Sequence, residues 1–160
     1  MKVKGIIFED FVNYRKPCMT IEMPICKNFK CDKECGSPVC QNGALAAAPT
    51  LEYTAEAIAN GFITNSIACA VCFQGLEPFD TFNDLYHFIS VFRNKFEQTA
   101  DIVIYTGYNK EEIAQEIEKL KQFSNIIIKF GRYIPNQPKH YDEILGVTLA
   151  SPNQYAERIS

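Results

Sequence analysis

At 160 residues, with 47% apolar and 22% charged side chains, the chain has material for one globular domain with a real core and gives no case for disorder. A formal net charge of −3 excludes a generic nucleic-acid binder, which needs a basic face to neutralise phosphates. No apolar run reaches the ~18–20 residues of a membrane span, no secretory signal opens the sequence, and the length falls short of the ~250 residues of a complete eight-fold βα barrel. The expectation is a single domain over residues 1–160, cytoplasmic, with neither nucleic acid nor membrane as partner.

In chain order, the first predicted strand spans Met19–Ile25 and feeds into Cys26. Cys18, after Pro17, reads as a packed thiol. The next stretch holds Cys26, Cys31, Cys35 and Cys40, four of the chain's seven cysteines. An odd count without an export signal fits poorly with a disulfide framework. Thiolates this close on a loop instead suit one metal centre, and they are soft ligands for zinc, copper(I) or iron–sulfur clusters. Four would close a structural zinc site; three would leave one iron of a [4Fe–4S] cluster open to an outside ligand. Spacing alone leaves both open.

Ala44–Ala48 reads as a helix turn or connector. Thr50 to Asn60 reads as a helix, with Leu51, Ala55, Ile58 and Ala59 on one stripe and Gly61 as its stop. Ile67–Phe73 is an unbroken apolar run and reads as a buried strand. Cys69 and Cys72 fall on it three apart, hence on opposite faces, and read as small buried hydrophobes that could not share an ion. Thr81 can cap a helix running towards Phe96, with Leu85, Phe88, Ile89 and Phe92 at helical spacing. Asp101–Thr106 reads as a strand. Asn109, with Glu112 at the third position, forms a capping box ahead of a helix whose buried stripe is Ile113, Ile117 and Leu120. Ser124–Phe130 reads as another strand. The segment holding Pro135, Pro138 and Pro152 receives no regular structure across most of its length.

Strands alternating with helices imply a parallel sheet with right-handed crossovers, and ligands in that architecture sit beyond the carboxyl ends of the strands. The loops expected there are Cys26–Cys40, Gln74–Pro78 and Thr106–Tyr108. They carry the clustered cysteines and two glycine-containing turns.

A strand running into a cysteine cluster, then Gly75-Leu76-Glu77-Pro78, then Tyr105-Thr106-Gly107-Tyr108, resembles the radical S-adenosylmethionine (SAM) enzymes. More narrowly, the chain is similar to the activating component of the anaerobic (class III) ribonucleotide reductase. That match also uses Cys40-Gln41-Asn42, Lys129-Phe130-Gly131-Arg132-Tyr133, Leu145-Gly146-Val147 and Ala150-Ser151-Pro152-Asn153-Gln154. The resemblance implies an abbreviated βα barrel, open on one side, holding a [4Fe–4S] cluster whose fourth iron is chelated by SAM. Reductive cleavage of SAM would then generate a glycyl radical on the large reductase subunit, the expected partner, with an electron donor such as flavodoxin. The gaps between cysteines are wider than the family's usual three and two residues. Cys26, Cys31 and Cys40 are the expected ligands, with Cys35 in place of Cys31 or Cys40 the alternative. Val39 and Asn42 match positions near the adenine and after the last ligand, and Gly75, Glu77 and Pro78 match the motif at the methionine end of SAM. No catalytic side chain is expected beyond the cluster. Lys129 and Arg132 are left between an anionic ligand, the partner protein and solvated surface charge. A zinc-stabilised binding module without SAM chemistry, and a radical SAM enzyme acting on a small molecule, are the competing readings.

Overall fold

A computed structural model describes residues 1–27 and 29–160. Ten strands occur among these residues: β1 (Lys2–Val3), β2 (Gly5–Asp10), β3 (Cys18–Met23), β4 (Leu51–Glu52), β5 (Ala70–Gly75), β6 (Asp101–Tyr105), β7 (Ile126–Phe130), β8 (His140–Asp142), β9 (Val147–Leu149) and β10 (Tyr155–Arg158). The helices are α1 (Lys30–Cys35), α2 (Gly43–Ala47), α3 (Ala55–Ile63), α4 (Phe82–Ser90) and α5 (Ala114–Leu120). Six strands form one sheet in the order β10-β7-β6-β5-β3-β2. The four central strands are parallel, and antiparallel β2 and β10 close the two edges. This is the expected α/β class, a largely parallel sheet of the partial βα-barrel kind.

Alternation along the strands separates two cores. Met19, Ile21, Val71, Phe73, Ile102, Ile104, Ile126 and Ile128 point to the face covered by α3, α4 and α5. Phe73 and Phe88 meet there edge to face at 5.3 Å. Cys18, Cys72, Val103 and Ile127 point the other way, against Tyr14, Leu145 and Leu149. The helices therefore cover only one face, as in a barrel wall. The opposite face is covered low down by the chain around Tyr14 and the β8–β9 hairpin, and it is this face that carries the cavity.

Several boundaries differ from the sequence reading. Leu51 lies in β4, exposed and paired with Val3, rather than on a helix stripe. Thr54 caps α3 by accepting from the Ala57 amide at 3.1 Å, and the helix continues through Gly61. Gly61 faces the Phe8 ring so closely that a Cβ would stand 3.2 Å from it, so close packing explains this glycine. Residues 67–69 precede β5, which leaves Cys69 exposed while Cys72 is fully buried. Val91–Lys95 forms a π-helical turn that ends the helical run before Phe96. The Asn109–Glu112 capping box is present, although its first turn is a 3-10 turn. Strand β2 and the C-terminal strands have no counterpart in the sequence reading.

Candidate cofactor site at the carboxyl ends of the strands

Glu22 of β3, Gln74 of β5, Tyr105 of β6 and Lys129 of β7 stand one per parallel strand, on the open face at its carboxyl end. Glu22 pairs with Gln74 and Tyr105 with Lys129 in the sheet register. All four line a cavity of about 470 Å³, within the ~300–1,000 Å³ range of small-molecule and cofactor sites.

Cys26, Cys31 and Cys40 stand on the wall of this one cavity, while Cys35 is not among its lining residues. Cys26 follows β3, Cys31 lies in the first turn of α1, and Cys40 comes just before α2. Burial pushes the Cys31 thiol up from its ordinary value; a hydrogen bond from the Tyr133 backbone and the charge of Lys129 oppose that shift, while nearby Cys40 and Cys26 add to it. Among the described residues, no three His, Cys, Asp or Glu side chains close on a single-ion point. A cube binds its thiolates at different irons and does not ask them to converge on one point.

Of the other expected site residues, Asn42, Gly75 and Glu77 line the cavity, and Val39 and Pro78 do not. The Asn42 side-chain amide donates to the Gly75 carbonyl, joining the cysteine loop to the end of β5. Gly75 has φ +90°, and a Cβ there would stand 2.7 Å from Leu45 Cδ2. Glu77 is buried, and its amide donates to the Ile25 carbonyl at 2.8 Å. Its carboxylate accepts from the Thr106 hydroxyl (2.7 Å), the Gly107 amide (2.9 Å) and the Phe79 amide (3.1 Å). Glu77 thus caps a 3-10 turn with Pro78 at its start, and it links two strand-end loops. Burial dominates and raises its pKa to about 7, against the three donors, which lower it.

Lys129 and Arg132 are not solvated surface charges. Lys129 is buried, lines the cavity and donates to the Gly131 carbonyl at 2.8 Å. Burial lowers its pKa to about 8, while Cys31 and Glu77 act to raise it. Arg132 is turned away from the cavity and forms ion pairs with Glu112 (2.7 Å) and Glu34 (2.8 Å). The Lys129–Tyr133 and Ala150–Gln154 motifs meet each other. Gly131, at φ +93°, lies against the Asn153 carbonyl, Asn153 donates to the Arg132 carbonyl at 2.9 Å, and Gln154 reaches the cavity.

The sequence alone gives Gln74 and Tyr105 a place in the motif loops but no role at the site, and gives Glu22 neither. The available signal was a polar side chain at the last inward-facing position of each apolar strand, where the sheet meets a ligand rather than the core.

Comparison with known families matches residues 25–150 to the model of the 4Fe-4S single cluster domain, a family typical of radical SAM activating enzymes. No curated protein and no solved structure matches the chain. Among the described residues no helix is long and apolar enough to cross a membrane.

Proposed function

The chain belongs to the 4Fe-4S single cluster domain family, and from that premise we propose that it is a radical SAM activase whose substrate is the large subunit of an anaerobic ribonucleotide reductase. The observation that carries this reading is the placement of three thiols, Cys26, Cys31 and Cys40, on one wall of a cavity whose floor is the polar row Glu22, Gln74, Tyr105 and Lys129. The donor set fits the group: soft thiolates, three rather than four, beside a buried cation that offsets the negative charge they gain on binding metal. Cys26, Cys31 and Cys40 would hold the cluster. A bound [4Fe–4S] cluster would supply the single electron that cleaves SAM to methionine and a 5′-deoxyadenosyl radical, which takes a hydrogen atom from a glycine of the partner subunit.

The chain's own residues bind and orient the second ligand. Lys129 presents a cation to the cavity for the SAM carboxylate, fixed by its bond to the Gly131 carbonyl. Gly75, with no Cβ, lets the amino-acid end of SAM approach the backbone after β5. Glu77 holds the loops after β5 and β6 at fixed separation through Thr106 and Gly107, so this end of the site is rigid before ligand arrives. A large protein partner suits the open face of so short a chain, since it would exclude water from the radical where the chain itself does not.

The test is anaerobic reconstitution followed by reduction in the presence of SAM, with and without a purified large reductase subunit. The expected result is 5′-deoxyadenosine and methionine in equal amounts and a glycyl-radical signal only when the subunit is present. Reductive SAM cleavage with no glycyl radical would point to a small-molecule substrate instead. Stoichiometric zinc with no iron uptake would point to the binding module.

A further inference from the structure

We propose that Asp32 is a positioning residue that sets Cys31 and Cys40 at their ligand positions before metal arrives, an inference that rests on reading these two cysteines as cluster ligands. Residues 32–39 separate them, an excursion long enough to leave their relation undefined unless something closes it. Helix α1 spans six residues, too short to be stable on its own, and leaves every side chain at least partly exposed. Its position must come from specific polar contacts.

One carboxylate oxygen supplies them within the loop. Asp32 Oδ1 accepts from the Val39 amide and from the Cys40 amide, each at 2.7 Å. Asp32 directly follows Cys31, so this oxygen joins the two ends of the excursion. The chain turns back at Gly36, in the left-handed conformation at φ 65°, and the Ser37 amide donates to the Asp32 carbonyl at 3.2 Å. From outside, the Arg132 guanidinium grips Glu34 through Nε and Glu112 through Nη2, holding α1 against the strand-end loops. The result is a clip: Asp32 fixes Cys31 relative to Cys40, and Arg132 fixes the pair relative to the barrel. The same carboxylate places a negative charge beside the ligands, which lowers the reduction potential of a cluster held there.

Asp32→Asn keeps an oxygen acceptor of the same shape and drops the charge; Asp32→Ala drops both. The full chain and these two variants are reconstituted anaerobically with iron and sulfide. Iron content and cluster midpoint potential are measured, together with amide exchange at Val39 and Cys40 in the iron-free proteins. The expected result is several-fold less iron in Asp32→Ala at limiting iron and at least about tenfold faster exchange at both amides, with the melting temperature unchanged because α1 lies outside the core. Asp32→Asn loads near the wild-type level at a more positive potential. Wild-type loading, potential and exchange in both variants would overturn the proposal. Amides that are protected in an unsubstituted chain that never takes up iron would support the clip and overturn the ligand reading.

Discussion

The Thr106 hydroxyl donates to the Glu77 carboxylate at 2.7 Å, joining the loop after β6 to the loop after β5. The Glu77 carboxyl is buried and held at about 7, against an ordinary value of 4.5. In the fold it keeps its proton up to about pH 7, whereas the unfolded chain releases it near 4.5, so the folded state binds more protons between these values. Stability from this group is fully present below pH 4.5 and is lost as pH rises through about 7, by roughly 3 kcal/mol at ~1.36 kcal/mol per pH unit. Glu77→Gln does not titrate. The melting-temperature advantage of wild type over Glu77→Gln should shrink from about pH 5 to about pH 8; a constant difference would contradict the assignment.

The four clustered cysteines separate into three that line the cavity and one that does not. Alanine at Cys26, Cys31 or Cys40 should abolish stable cluster loading, and Cys35→Ala should leave it near wild type. Iron and sulfide analysis of the four variants checks this. Loss of loading in Cys35→Ala with retention in one of the others would reassign the ligands.

Lys129 supplies a buried cation to the cavity. Hydrogen bonds to charged groups contribute about 1.5–3 kcal/mol, so Lys129→Met should weaken SAM binding by roughly 10–100-fold. Lys129→Met also takes the lysine donor from the Gly131 carbonyl, so a melting curve of the variant accompanies the binding measurement. Equilibrium binding of SAM to the reconstituted variant is the measurement, and unchanged affinity would remove Lys129 from the ligand's contacts.

Gly131 couples the two C-terminal motifs. Alanine there meets a positive φ, and its Cβ would clash with the Asn153 carbonyl oxygen, a backbone atom. Gly131→Ala should cost at least about 2 kcal/mol in denaturant unfolding.

Strands β5, β6 and β7 were legible because their central residues are apolar on both faces, as Val71–Phe73, Ile102–Ile104 and Ile126–Ile128 show, whereas β3 carries Thr20 and Glu22 on one face. Strand β2 was not, because its pairing is irregular between Ile7 and Asp10 and its side chains are mostly half or fully exposed. The C-terminal strands are three or four residues long and flanked by prolines, too short for periodicity to register. Gly61 reads as a stop because glycine is unfavourable inside helices, but a tertiary contact with Phe8 outweighs propensity there. The cysteines and the Gly75–Glu77 turn could be read from residue type and order. Lys129 could not, since a lysine at the end of a strand reads equally as solvated, and only the register that brings it beside Tyr105 reveals its burial. Asp32 escaped notice because its role is a pair of backbone hydrogen bonds, which no spacing rule encodes.

The most direct measurement is electron paramagnetic resonance of the reduced, reconstituted protein, recorded with and without SAM alongside its iron content. Four irons per chain and a spectrum that changes when SAM is added are the predicted result, since three thiolates leave one iron for that ligand. Four irons with a spectrum indifferent to SAM, or a chain that takes up no cluster, would contradict the account.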